Sequence, residues 1–431
     1  MKTTTIALLL QEKGNNVRFH GWVDKIRNLK YVQFLIVRQG DHAVQLVNEK
    51  GNKAEEIINS LTLHSTILIT GKVVDNPNVK LLGLEVQIGS IEITSLAERE
   101  LPINDNSNHE TRMDWRFLDL RSRKNYWLFK IQTLLERALR NYWNTRGCVE
   151  IHSPKLMATA SESGAELFQV DYFGDKACLA QSPQFYKQMA MAAGLDRVFE
   201  VGPVFRANPS FTSRHDTEFT SIDVEISWID SHADVMDFEE EMIKYAINTL
   251  MQELPESLKG FLGISIPKTN ISFPRVTLID AKELVSKTGY KSQKTDDLDP
   301  REEKVISDII KKETGSDFVF ITDYPITARP FYHMRHESML THTKSFDLLF
   351  RGVEITTGAQ REHRYEKLKN QVLEKELSIE ELKQYLDFFK YGCPPHGGFG
   401  FGLTRFLMKL LGYKNVREVT FLYRGPNRLS P

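Results

Sequence analysis

Cysteine is scarce in this chain of 431 residues: three occur, Cys148, Cys178 and Cys393. No two stand at CxxC spacing, which argues against a disulfide frame and against structural zinc, and for a reducing compartment. Long apolar runs are missing too. No stretch approaches the roughly 18 apolar residues of a membrane-spanning helix, and the N-terminal IALLL is too brief for a signal-peptide core. Together these absences point to a cytoplasmic protein with no membrane partner. An excess of charge of either sign is also absent, the formal net charge being -1. Any contact with nucleic acid must therefore come from local patches. What is present is an ordinary globular composition, 41% hydrophobic and 26% charged, long enough for two or three domains.

Residues 17 to about 97 read as five short strands, VRFHGWV, VQFLIVR, AVQLVN, STILITGKVV and LEVQIGSIEIT, each with period-two or solid apolar runs. NEKGNKAEEIINSL predicts one short helix between the third and fourth. Five strands with a helix in that place outline a small Greek-key barrel of OB type, a fold that binds single-stranded nucleic acid. Phe34 and Gln45 fall on successive strands, where one could stack on a base and the other read its edge. Eleven Lys and Arg against nine Asp and Glu give residues 1–97 a net +2, compatible with RNA.

Residues 98–123 form a polar connector read as a linker or hinge. An amphipathic helix follows, with Leu128, Ile131, Leu135, Leu139 and Tyr142 on one face and Gly147 as its C-terminal cap. VEIHSPKLM predicts a strand interrupted at Pro154. SPQFYKQMAMAAG predicts a helix with Ser182 as N-cap and Pro183 at its first position.

From Arg197 to Glu225 two alternating runs, FEVGPVF and FTSIDVE, predict an antiparallel hairpin whose loop carries Arg206, Arg214 and His215. Arginine offers a planar fork of donors to phosphate oxygens, so cations at such a turn suit a polyphosphate. Residues 286–304 read as an exposed insertion with no chemistry. FVFITDYP and TKSFDLLFRGVEITTGAQREH predict three further strands, and SIEELKQYLDFFKYG one helix. In PPHGGFGFGLTRF, Gly397, Gly398, Gly400 and Gly402 lead into a helix with Arg405 on its first turn; these glycines would let the backbone pass close to a flat ligand. The spacing fits neither a P-loop nor a Rossmann fingerprint.

VEIHSP with Pro154, the hairpin at Arg206, Arg214 and His215, and GFGFGLTRF at Arg405 resemble, in order, the three signature motifs of class II aminoacyl-tRNA synthetases. The barrel points to the subclass for Asp, Asn and Lys. QSPQFYKQ, ITDYP, ARPFY, SFDLLFRGVEI and TGAQR look most like aspartyl-tRNA synthetases of the archaeal and eukaryotic type. The resemblance runs from about residue 17 to the C-terminus. It implies an α+β chain: an OB-fold anticodon-binding domain (1–97), a hinge (98–123) and a class II catalytic domain (124–431) built on an antiparallel sheet flanked by helices.

The resemblance also implies the chemistry. ATP would be bound by Arg206 at the α-phosphate, Arg214 and His215 at the γ-phosphate end, Phe219 and Arg405 on the two faces of adenine, and Asn208 and Glu354 nearby. Arg206 and Arg405 would be the catalytic pair. Glu354 and Thr357 would hold Mg²⁺, which prefers an oxygen-only site. Lys187 and Arg361 would surround the side-chain carboxylate of L-aspartate, with Asp223, Glu162 and Gln184 receiving its α-ammonium. Phe34, Gln45 and Glu85 would read the anticodon of tRNA for Asp, with tRNA for Asn as a second candidate. A homodimer, formed through the helix at 126–146 and the Pro154 strand, is the family's habit.

Three stretches depart from the family wording. Asn208 stands in FRAN where the family has a Glu that accepts from the adenine amino group; Thr404 replaces an acid beside Arg405; and GAQRIHD reads GAQREHR. These suggest a divergent member. The other readings are an asparagine–tRNA ligase, a paralogue that activates an amino acid without charging tRNA, and a non-catalytic RNA-binding protein. Retention of the three motif arginines and of the barrel speaks against the last two.

Overall fold

The computed structural model describes residues 3–158, 166–209 and 212–430. The chain divides into two compact units, Met1–Phe129 and Lys130–Pro431.

The first unit is built on a closed five-stranded barrel, β1 (Asn16–Asn28), β2 (Val32–Gln39), β3 (His42–Glu49), β4 (Thr66–Asp75) and β5 (Leu84–Ser95), in the order β1-β2-β3-β5-β4. Period-two alternation sends Val17, Phe19, Leu35, Val37, Val44, Leu46, Ile67, Ile69, Leu84 and Val86 into one core. Helix α1 (Lys53–Ser60) lies between β3 and β4, started by the Asn52 side chain, which accepts from the amides of Ala54 and Glu55. The expected strands and helix are all present. Past the barrel the chain is more structured than a hinge. It forms two short helices, α2 (His109–Asp114) and α3 (Arg116–Asp119). Asp119 ties them together, pairing with the buried Arg116 and with Arg112 at 2.7 Å.

Helix α4 (Arg123–Thr145) carries the predicted apolar face, and Leu128, Ile131, Leu135, Leu139 and Tyr142 are all buried. Gly147 follows it at φ +70°, a left-handed turn that glycine takes without strain. The division between the units falls inside this helix. In the second unit the Pro154 segment yields two two-residue strands, β6 (Val149–Glu150) and β7 (Leu156–Met157). Next come β8 (Gln169–Tyr172), β9 (Asp175–Leu179), α5 (Gln184–Ala192), β10 (Arg197–Phe205), β11 (Glu218–Ser227) and α6 (His232–Glu253). After them lie α7 (Glu256–Leu262), β12 (Arg275–Thr277), α8 (Leu278–Ser286), α9 (Pro300–Thr314) and β13 (Phe318–Thr322). The chain then runs through β14 (Ser345–Phe350), β15 (Val353–Gln360), α10 (Tyr365–Glu374), α11 (Lys383–Lys390), β16 (His396–Phe401), α12 (Leu403–Leu410) and α13 (Val416–Val419).

An eight-stranded sheet, ordered β12-β13-β14-β15-β16-β11-β10-β6, organises this unit. It is antiparallel except at its two ends, where β12 pairs with β13 and β6 with β10 in parallel. The hairpin β10–β11 forms as expected, Phe205 opposite Glu218. A three-stranded sheet, β7-β9-β8, stands apart. No helix among the described residues is long and apolar enough to cross a membrane.

Three expectations need correction. Helix α5 begins one residue late, with Pro183 as its N-cap; Ser182 Oγ reaches the Gln184 amide at 3.4 Å. Residues 286–304 are not uniformly exposed, because Leu298, Asp299, Glu302 and Glu303 are buried where α9 docks. Asp299 and Glu302 form a capping box there with Pro300 inside the first turn. Helix α10 was not anticipated, and α11 starts only at Lys383. The glycines lead into a helix as expected: Gly397, Gly398 and Gly400 lie in a central strand, β16, and Gly402 is the N-cap of α12, whose first turn carries Arg405.

Candidate functional site

One cavity of about 510 Å³ in the second unit gathers almost every site residue expected there. The hairpin supplies Arg206, Asn208, Arg214 and His215 from its loop and Phe219, Ser221 and Asp223 from β11. Odd-numbered residues of β11 share a face, so the same alternation carries Glu225 under the cavity floor. Strand β15 adds Glu354 and Thr357, its end adds Arg361, α5 adds Gln184 and Lys187, and α12 adds Arg405. Glu162 lies outside the described residues.

At one end the guanidinium of Arg206 stands over the Phe219 ring, 5.7 Å from its centroid, a cation–π distance. Arg214 donates to Glu303 at 2.8 Å and to the Gly352 carbonyl at 3.3 Å. Arg405 donates to the Arg214 carbonyl at 3.3 Å and to Glu354 at 3.1 Å (carbonyl) and 3.3 Å (carboxylate). His215 contacts the Thr212 hydroxyl through Nδ1; burial, and after it Arg405, lowers its pKa. This end is therefore a ring of cations around an aromatic face, with the acids Glu303 and Glu354 between the guanidiniums. Burial pushes the Glu303 carboxyl up to about 7 in spite of Arg214.

The opposite end is a buried four-charge cluster. Lys187 Nζ lies 3.0 Å from Asp223 and 3.3 Å from Glu225. Arg361 donates to Glu225 at 2.9 and 3.4 Å and to the Gly398 carbonyl at 2.9 Å. All four side chains are at least 95% buried. Glu225 is held below the usual carboxylate range because Arg361 and Lys187 outweigh its burial. Asp223 also accepts from the Ser221 hydroxyl at 2.6 Å. His333 Nε2 lies 3.0 Å from Arg361 Nη1; burial, then Arg361, keeps the ring neutral, so that nitrogen accepts.

The glycines of β16 make room for this cluster. Gly398 faces Glu225 and Gly400 faces Asp223 across the strand pair. A Cβ on Gly398 would sit 2.2 Å from Glu225 Oε2 and 2.1 Å from the Val224 carbonyl. The close approach at Gly398 thus serves an internal ion pair, and only Gly400 and Gly402 line the cavity.

In the first unit, Phe34, Gln45 and Glu85 line one open recess with Asn76, Asn78 and Lys80. Gln45 pairs with Glu85 in register, and its side chain donates to the Glu85 carboxylate at 3.1 Å.

Sequence reasoning passed over Glu225, Glu303, Arg329, His333 and Asp347. Arg329 lines the cavity and pairs with Asp347 at 2.7 Å. Asp347 is an acid inside an otherwise largely apolar strand, SFDLLF, a pattern that flags a paired buried charge. The capping box beginning at Asp299 was the available sign of Glu303.

The chain matches two families: residues 108–424 match tRNA synthetases class II (D, K and N), and residues 17–94 match the OB-fold nucleic acid binding domain. It is a class II tRNA synthetase of the D, K and N group. This synthetase is 40% identical over 427 residues to the aspartate–tRNA(Asp/Asn) ligase of Aeropyrum pernix, covering 97% of this chain and 96% of that protein. It is 40% identical over 425 residues to the aspartate–tRNA(Asp) ligase of Pyrococcus furiosus, covering 97% of each. The solved asparaginyl-tRNA synthetase of Pyrococcus horikoshii, complexed with asparaginyl-adenylate, superposes with a TM-score of 0.91 at 30% identity, over 98% of this synthetase and 97% of that chain.

The oxygen-only donors at Glu354 and Thr357 fit a hard divalent cation. Thr357 Oγ1 lies 3.3 Å from Glu354 Oε1, so hydroxyl and carboxylate already converge, and Asp347 stands opposite Thr357 on the neighbouring strand.

Proposed function

We propose that this synthetase is an aspartate–tRNA ligase that forms aspartyl-adenylate from L-aspartate and ATP and transfers the aspartyl group to tRNA. The observation that carries the reading is the two-ended cavity: arginines beside an aromatic face at one end, and Lys187 and Arg361 held by two buried acids at the other. Arg206 would stabilise the charge that builds on the α-phosphate as the aspartate carboxylate attacks. Arg214 and His215 would hold the γ-phosphate end, and Phe219 and Arg405 would sandwich adenine. No base is needed, since the attacking carboxylate is ionised at neutral pH. Catalysis is then positioning and charge stabilisation. Glu354 and Thr357 would hold Mg²⁺, which when bound neutralises polyphosphate charge.

Lys187 and Arg361 would take the aspartate side chain, with Asp223 and Gln184, and Glu162 in its loop, orienting the α-ammonium. In the barrel, Phe34, Gln45 and Glu85 would read the anticodon, with domain limits near 97 and 124. A cytoplasmic homodimer is the expected working form. The 40% identity to two aspartate–tRNA ligases supports the amino-acid choice. Aspartate-dependent ATP–pyrophosphate exchange tests it: exchange with aspartate well above that with asparagine is expected, and robust exchange with asparagine alone would assign the chain to the asparaginyl enzymes.

A further inference from the structure

Outside the cavity, three metal-ligating side chains converge where three segments meet. His232 is the first residue of α6, Asp323 follows the last residue of β13, and His336 lies in the chain between β13 and β14. His336 Nε2 is 2.7 Å from Asp323 Oδ1, and His232 Nε2 is 3.6 Å from the same oxygen. One ligand atom from each lies within 4.8 Å of the others, the one such group among the described residues. The imidazole rings stand nearly perpendicular, at 85° with centroids 5.8 Å apart, so both nitrogens point at one oxygen without stacking. Thr322 donates to Asp323 Oδ2 at 2.6 Å, which orients the carboxylate with Oδ1 towards the two rings. Side-chain exposures of 15%, 19% and 23% leave the group reachable from water.

We infer that His232, Asp323 and His336 form a binding site for a divalent transition metal of the Zn²⁺ or Co²⁺ type. Two imidazoles and a carboxylate match such an ion, whereas Mg²⁺ and Ca²⁺ favour oxygen alone. Two ligands on one tetrahedral zinc lie about 3.3 Å apart, so the 3.6 Å pair is nearly in place and the 2.7 Å pair opens by well under 1 Å. Three protein ligands leave a position for water. The scarcity of cysteine, which argued against structural zinc, has no bearing on ligands of this kind. The metal would clamp α6 to the segment that delivers Arg329, Tyr332 and His333 to the cavity wall.

The test is titration of metal-stripped, untagged, full-length protein with Co²⁺, read by its visible ligand-field bands. Zn²⁺ is titrated in parallel against a chromophoric chelator, with excess Mg²⁺ present in both. One equivalent per chain is expected, with four- or five-coordinate cobalt bands. His336→Ala and Asp323→Asn should each weaken binding at least tenfold. Asparagine tolerates the left-handed backbone at Asp323 (φ +62°), so that variant removes the charge while keeping the turn. Circular dichroism shows whether each variant is folded. Absence of stoichiometric binding to the wild-type protein, or undiminished binding in both folded variants, would overturn the assignment.

Discussion

Glu239 gives the sharpest test of how charge is handled behind the cavity. It lies on α6 with its side chain fully buried, and no cation pairs with its carboxyl among the described residues. Burial, reinforced by the nearby Asp347 and only partly offset by Thr356, pushes its pKa from 4.5 up to about 8. Folding therefore takes up a proton between those limits. A carboxyl with a raised folded pKa contributes most below its unfolded value, and stability falls as pH rises towards about 8. One proton is worth about 1.4 kcal/mol per pH unit, so the whole window represents about 5 kcal/mol and the part below pH 7 about 3 kcal/mol. Glu239→Gln imitates the protonated acid in shape and removes the titration. The variant should match the wild type near pH 5 and exceed it by about 3 kcal/mol at pH 7. At roughly 2 °C per kcal/mol for a unit of this size, Tm should rise by about 6 °C at neutral pH. Urea unfolding followed by tryptophan fluorescence from pH 5 to 9 reads this directly. A Glu239→Gln protein destabilised equally at every pH would mean that the carboxylate is ionised and paired, and the reasoning would fail.

Arg361→Gln should lower kcat/KM for aspartate in pyrophosphate exchange by about tenfold to a hundredfold, since a hydrogen bond to a charged group is worth about 1.5–3 kcal/mol; a loss below threefold would remove Arg361 from substrate binding. Phe34→Ala should slow tRNA charging about tenfold or more, as one lost base stack is worth about 1–3 kcal/mol, while leaving tRNA-independent exchange unchanged. Equal effects on both reactions would point to damage in the fold instead. Asn208→Glu should lower KM for ATP about threefold to tenfold, the worth of one improved hydrogen bond of about 1 kcal/mol; an unchanged or raised KM would show that Asn208 does not face adenine.

The barrel was readable because its strands bury one face only, so period-two alternation is written into the residue order from Val17 to Val86. The hairpin was readable for the same reason, and its cations are arginines, which stand out in a loop. Glu303 was hidden because DDLDPREEK has the composition of a solvated loop. What buries it is the docking of α9, and composition carries no trace of that beyond the cap at Asp299. The strand β16 misled in another way. Glycines before a helix suggest a ligand, yet Gly398 is required by a side chain that comes from the neighbouring strand.

That side chain changes the argument about specificity. From the sequence, Lys187 and Arg361 look like two cations awaiting one carboxylate. In the fold they face Asp223 and Glu225, so the cluster is neutral before any substrate enters. If this cluster receives the substrate side chain, excess positive charge is not what would separate aspartate from asparagine. What remains is directional. Glu225 and the Gly398 carbonyl fix the guanidinium, and His333 takes another of its N–H groups, so Arg361 can present only donors to the cavity. A carboxylate accepts from such donors with both oxygens, whereas an amide must turn its own N–H₂ towards Lys187 or Arg361 and lose a hydrogen bond there. In a buried site that mismatch costs about 1–3 kcal/mol or more, enough for discrimination without net charge. On this argument Glu225→Gln, which loosens Arg361 while raising the cluster to a net positive charge, should erode selectivity for aspartate over asparagine in the exchange assay. A gain in that selectivity would return the decision to charge alone.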